Sequence, residues 1–219
     1  NDVAASGPIT VIAGLDIVRN AGTLSSSAGI DLSGGGSIGS SGSLLQINPG
    51  TGLVSLTSNY GDIYVQQSSG TFNFLKYTVD AQGSTKEIVL KGAAIANSVM
   101  QINAPFVSDD NVSFIAPAAS GSVNLNGDIS GHTLNIAASG TGGLVFVQGA
   151  STLMATSNVN VFSLSGNVNL GATLTAFAPL VSLDAGGSIT GGGSIVTNGH
   201  DLFVASNRGI SSSTPFGNF

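Results

Sequence analysis

Val181-Ser182-Leu183-Asp184-Ala185-Gly186-Gly187-Ser188-Ile189-Thr190 lines up without a gap on Leu202-Phe203-Val204-Ala205-Ser206-Asn207-Arg208-Gly209-Ile210-Ser211, an offset of 202 − 181 = 21 residues. Each copy is a short alternating run, a polar corner containing glycine, and an aliphatic anchor. Apolar Val181 and Leu183 alternate with polar Ser182 and Asp184, the period-2 pattern of a strand with one buried face. A repeat this short cannot bury its own apolar face, so neighbouring copies must stack into a solenoid. The side chains expected to point inward are Val181, Leu183, Ile189 and Ile195, then Leu202, Val204 and Ile210.

A second internal match supports the same reading. Gly131-His132-Thr133-Leu134-Asn135-Ile136-Ala137 returns as Gly199-His200-Asp201-Leu202-Phe203-Val204-Ala205, an offset of 200 − 132 = 68 residues, or about three coils. Earlier in the chain the template recurs in Ile9-Thr10-Val11-Ile12, Leu44-Leu45-Gln46-Ile47 and Val54-Ser55-Leu56-Thr57-Ser58-Asn59-Tyr60-Gly61-Asp62-Ile63. After residue 112 it returns in Val123-Asn124-Leu125, Leu144-Val145-Phe146-Val147, Val159-Asn160-Val161 and Val168-Asn169-Leu170.

Residues 70–111 depart from the template. All three lysines lie here with Phe72, Phe74 and Tyr77, and the small-residue corners thin out. Ser84-Thr85-Lys86-Glu87 has the spacing of a helix capping box. Short apolar runs at Ile88-Val89-Leu90 and Val99-Met100-Gln101-Ile102, with Gly92 between them, nevertheless favour strands, and residues 107–111 read as an outward loop. We therefore expect one domain over 1–219, with repeats clearest in 1–69 and 112–211 and an irregular or loop-bearing section at 70–111.

No helical pattern of 10 to 15 residues separates the strands, which removes the βαβ folds. A β-sandwich is the main competitor, but Asn-Gly or Asp-Gly hairpin turns between equal strands are missing; Asn126-Gly127 and Asn198-Gly199 come nearest. The expected fold is all-β, a right-handed parallel β-helix (β-solenoid) of about ten coils with ~20 residues per coil.

Composition narrows the function classes. Charged residues make up 7% and hydrophobic residues 42%, so there is ample apolar surface to bury and little tendency to disorder. No apolar run is long enough for a membrane-spanning helix. The net charge of −6, with five bases in all, leaves no basic stripe to neutralise phosphates or anionic lipid. There are no cysteines, so disulfide frameworks and thiolate metal sites are excluded. The chain opens Asn1-Asp2-Val3 with no signal peptide pattern, and reads as a processed product or a piece of a longer protein.

The repeat runs resemble those of a known family. Gly199-His200-Asp201-Leu202-Phe203-Val204-Ala205-Ser206 with Gly209-Ile210, and Val54-Ser55-Leu56-Thr57-Ser58 with Gly61-Asp62-Ile63, look like the haemagglutinin-type repeats of bacterial two-partner-secreted exoproteins, the filamentous haemagglutinin group, whose grammar autotransporter passengers share. The resemblance covers most of 1–69 and 112–211. It implies a right-handed β-helix at the bacterial surface, used for adhesion or as a stalk.

Motifs that suggest chemistry each have a plainer structural explanation. Gly34-Gly35-Gly36-Ser37-Ile38-Gly39 matches a dinucleotide fingerprint and, from Gly35, a hydrolase elbow, yet no helix follows. His132 and His200 occupy equivalent repeat positions, but a zinc site needs more ligands than the adjacent Asp201. Asp109-Asp110-Asn111 reads as a polar turn rather than a calcium loop, and Asn111-Val112-Ser113 is a glycosylation sequon. Glycoside cleavage needs two facing carboxylates, for which Asp80 and Glu87 are the best candidates among mostly isolated acids.

The expected function is a non-catalytic structural and adhesive rod segment of a bacterial cell-surface or secreted exoprotein, with no catalytic, cofactor-binding or metal-ligating set. Its expected partner is a protein or glycan on a host or neighbouring cell, with end-to-end self-association possible and neither nucleic acid nor membrane insertion. The alternatives are a self-assembling extracellular filament subunit and a β-helix polysaccharide-degrading enzyme.

Overall fold

Alternating side chains oblige each short strand to hide one face, and the computed structural model shows how the chain does so. It describes residues 2–83 and 85–212; Ser84 of the capping-box spacing, residue 1 and residues 213–219 lie outside them. Strand follows strand in parallel, each hydrogen-bonded to its equivalent one coil away, in a right-handed parallel β-helix of about nine turns.

One long wall runs the length of the rod. Its ten strands are Val3–Ala5, Leu24–Ser26, Leu45–Asn48, Ile63–Gln67, Glu87–Lys91, Asn111–Ala116, Thr133–Ala138, Asn158–Ser163, Leu180–Ala185 and Asp201–Ser206. A second wall of seven strands begins at Phe72–Asn73 and ends at Ile210–Ser212. The third wall changes along the rod: four strands from Ile9–Ala13 to Tyr77–Ala81 form one sheet, and five from Phe106–Val107 to Ile195–Val196 form another.

Both internal sequence matches are literal pairing registers. Val181 pairs with Leu202 and Ile189 with Ile210, the 21-residue offset. Leu134 pairs with Val159, Val159 with Val181, and Val181 with Leu202, so the 68-residue match joins equivalent positions three rungs apart. Inward columns result, such as Leu90, Phe114, Ile136, Val161 and Leu183, all fully buried. Burial of one such side chain contributes roughly 1.5–3 kcal/mol. Val181, Leu183, Ile189 and Ile195 are buried as expected, while Leu202 and Val204 are half-buried and Ile210 is exposed on the last described coil.

Within residues 70–111 the strands Glu87–Lys91 and Val99–Ile102 take regular places in the long and second walls. Residues 108–110 form a tight corner rather than a protruding loop, because the Asp110 carboxylate is 1% exposed and accepts the Lys86 N–H and the Ser108 hydroxyl. The departure from template reflects what fills the core. Phe72, Phe74, Tyr77, Phe106 and Phe114 pack together where the four-stranded sheet gives way to the five-stranded one, with centroid separations from 4.3 to 6.4 Å. Aromatics supply the volume that aliphatics provide elsewhere.

Corners are fastened by small polar side chains. Ser58 and Ser163, both buried, each donate to a glycine carbonyl one coil away, Gly36 and Gly143, and each accept an N–H from the glycine three residues on, Gly61 and Gly166. The glycine run at 34–39 has the same kind of explanation. Gly35 and Gly36 donate to Ala13 and Leu15, and an added Cβ would strike the Gly14 carbonyl or the Asp16 carboxylate.

Candidate functional site

The sparse acids are mostly structural. Asp2, Asp16, Asp62, Asp110 and Asp128 each accept a backbone N–H from an adjacent coil, from Thr23, Ser37, Glu87, Lys86 and Thr152, at 2.7–2.9 Å. Asn167 does the same for Ser188 at 2.8 Å. A carboxylate accepting a corner N–H satisfies a donor that the sheet ladder leaves free. Five of the eleven acids are thereby tied to the scaffold.

Asp80 and Glu87 are not brought together. Asp80 faces solvent from the four-stranded sheet and its carboxylate is 3.5 Å from the Gln82 amide, whereas Glu87 starts a rung of the long wall. Glu87 instead meets Tyr64 and Asp62 on the rung below. The Tyr64 hydroxyl donates to Glu87 Oε2 at 2.6 Å and lies 3.4 Å from Asp62 Oδ2. Burial pushes the Tyr64 phenol well above its ordinary value, and the bond to Glu87 and the charges of both carboxylates raise it further. The phenol therefore holds its proton at neutral pH and serves as a donor, not a base.

This trio opens onto a strip that runs along the rod. Outward from the long wall, Glu87, Asn111 and Thr133 stack in one column and Tyr64, Val89, Ser113, Asn135, Asn160 and Ser182 in the next. Glu87, Val89, Asn111, Ser113, Thr133 and Asn135 line a shallow groove of about 330 Å³. Asn135 donates its amide to Ser113 and accepts from Asn160, an amide ladder of the kind in-register stacks produce. Asn111 and Thr133 are half-buried and their side chains make no hydrogen bond among the described residues. The sequon therefore lies in this groove, with Val112 buried between Asn111 and Ser113.

His132 and His200 fall in one column, three rungs apart, as their repeat positions require. His132 Nδ1 lies 2.8 Å from the Thr156 hydroxyl, and the His200 carbonyl accepts from Thr197. Among the described residues no three acid, histidine or cysteine side chains converge as a metal site. A second depression, about 290 Å³ and mainly apolar, lies on the five-stranded wall between Met154, Phe177 and Asp109.

Sequence reasoning missed Asp62 and Tyr64 because their partner lies one rung away, across a 25-residue interval, in the section where the repeat fades. Tyr64 at a position that elsewhere holds Ser or Asn was the available signal. Comparison with protein-family models, with curated proteins and with solved structures finds no significant match to this chain.

Proposed function

We propose that the chain is a structural and adhesive rod segment of a bacterial cell-surface or secreted exoprotein, and that it has no catalytic role. The observation that carries this reading is the division of labour among its polar groups. Acids and serines are spent on corners, which stiffen the rod, while one wall presents an ordered strip of amide and hydroxyl groups. A scaffold of stacked rungs repeats each outward side chain at intervals of about 4.8 Å, and such regular columns suit a contact surface. Haemagglutinin-type grammar in the corners is consistent with this place at the cell exterior.

The test is retention of bacterial or host cells on a surface coated with the folded chain. Retention well above that of an uncoated surface is expected; none above it, with the chain still folded, rules the reading out.

One observation favours an enzyme as second reading, the convergence of Asp62 and Glu87 on one phenol. Release of new reducing ends from polysaccharides, abolished by Glu87→Gln, would establish that reading; the adhesive account expects no release.

A further inference from the structure

We propose that the strip on the long wall binds a neutral, hydroxyl-rich linear polysaccharide laid along the rod axis, an assignment that rests on the adhesive reading and names its ligand. Four features of the groove lead there. First, Asn111 and Thr133 are half-buried polar side chains without a partner among the described residues, and groups in that position find partners outside the protein. An amide offers both donors and an acceptor, and a hydroxyl offers both roles, which matches the mixed hydrogen bonding of sugar hydroxyls.

Second, the chemistry is periodic. From Tyr64 to Asn160 the strip crosses five rungs, or about 19 Å at the usual strand spacing. A polymer whose own units repeat at nearly that interval meets the same set of groups at each step. A folded protein surface has no such periodicity.

Third, the groove has the right mixture of surfaces. Val89 contributes an apolar patch at its floor, against which the C–H face of a ring packs, while Glu87 keeps one carboxylate oxygen free of the Tyr64 hydroxyl. Asn135 and Ser113 are fastened to each other and to Asn160, so this side of the groove is already ordered before ligand arrives. Pre-ordered contacts lose little entropy on binding.

Fourth, the charges balance. Asp62 and Glu87 belong to the strip, and Lys86 and Lys91 flank it on the same rung as Glu87. Acidic polysaccharides find no net positive field, and recognition falls to the neutral groups.

Affinity electrophoresis in gels containing soluble mannan, xylan or dextran, with polygalacturonate as the anionic comparator, tests the assignment. At least one neutral polymer should retard the chain, and polygalacturonate should not. Thr133→Val and Asn111→Ala should each leave the melting temperature unchanged and together weaken that retardation about tenfold or more. Asp31→Asn, on the four-stranded wall, should leave it as it was. The proposal is overturned if no neutral polymer retards the chain, if polygalacturonate retards it as strongly, or if the folded double variant migrates like the parent. Cell retention separates this outcome from failure of the adhesive reading: cells held equally by the parent and the double variant remove the polysaccharide but keep the adhesin, whereas retarded gels without cell retention keep the polysaccharide and remove the adhesin.

Discussion

The rod has two cross-sections, and the first region, through Ala81, is built differently from the second, which starts at Glu87. In the first, a long-wall rung is broken. Ile17, Ile38 and Ile63 stack as one column, but six residues intervene between Ile38 and Leu45 where a single residue, Tyr64, separates Ile63 from Val65. The extra residues form loops that rest on each other, with the Ser43 hydroxyl donating to the Arg19 carbonyl. In the second region the rungs are unbroken and the inward columns continuous. The contrast teaches that the stacking rule tolerates a change of outline provided the core at the seam is refilled, and five aromatic rings do that.

The largest effect should come from breaking the second region at its centre. Leu183→Asp places a carboxylate in a fully buried column, and a loss of roughly 4–5 kcal/mol or more, with several rungs unfolding together, is expected in a thermal melt. A shift of under a degree would remove Leu183 from the core. Next comes the seam. Phe114→Ala should cost about 3–5 kcal/mol by denaturant titration, while Ile136→Val, the pairing partner one rung on, should cost about 0.5–1.5 kcal/mol. Similar losses would mean that the rings do not carry the change of outline.

A smaller effect probes what the regions share. Ser58 lies in the first and Ser163 in the second, each bridging two coils from a buried corner, so Ser→Ala at either should cost roughly 1–3 kcal/mol. A neutral result at one of them would confine that corner device to a single region.

The smallest prediction concerns pH and separates the regions again, because Tyr64 and Tyr77 both belong to the first region's last coil. Burial raises both phenols above the ordinary value of 10.0. Unfolded chain ionises near that value while folded chain keeps the proton. The stabilisation is therefore complete below about pH 10 and lost as pH climbs beyond it. Melting midpoints should fall above pH 10, hydrogen exchange should quicken first in residues 63–81, and Tyr64→Phe should reduce the slope. A midpoint that stays flat to pH 12 would contradict this.

Much of the second region was legible from residues alone. The gapless alignment of Val181 on Leu202 is the hydrogen-bonded register itself, because unbroken rungs keep offsets constant enough to see. Legibility failed where offsets drift. Leu45 pairs with Val65 at 20 residues and Ile63 with Ile88 at 25, so no single period aligns the seam. The candidate strip suffered for the same reason. Asp80 and Glu87 are neighbours in sequence and lie on different walls, while Asp62, Tyr64 and Glu87 are neighbours only once the coil has closed.

The absence of native cysteine permits a direct test of the stacking register. Asn160 and Ser182 face each other on adjacent rungs, and Phe203 lies one rung further in the same column. Cysteines at 160 and 182 should oxidise readily to an intramolecular disulfide, since adjacent-rung Cα spacing falls in the range of about 4.4–6.8 Å that the bond requires, while cysteines at 160 and 203 should stay reduced. Efficient bonding of 160 to 203, or none between 160 and 182 in the folded chain, would contradict parallel rungs lying one upon the next.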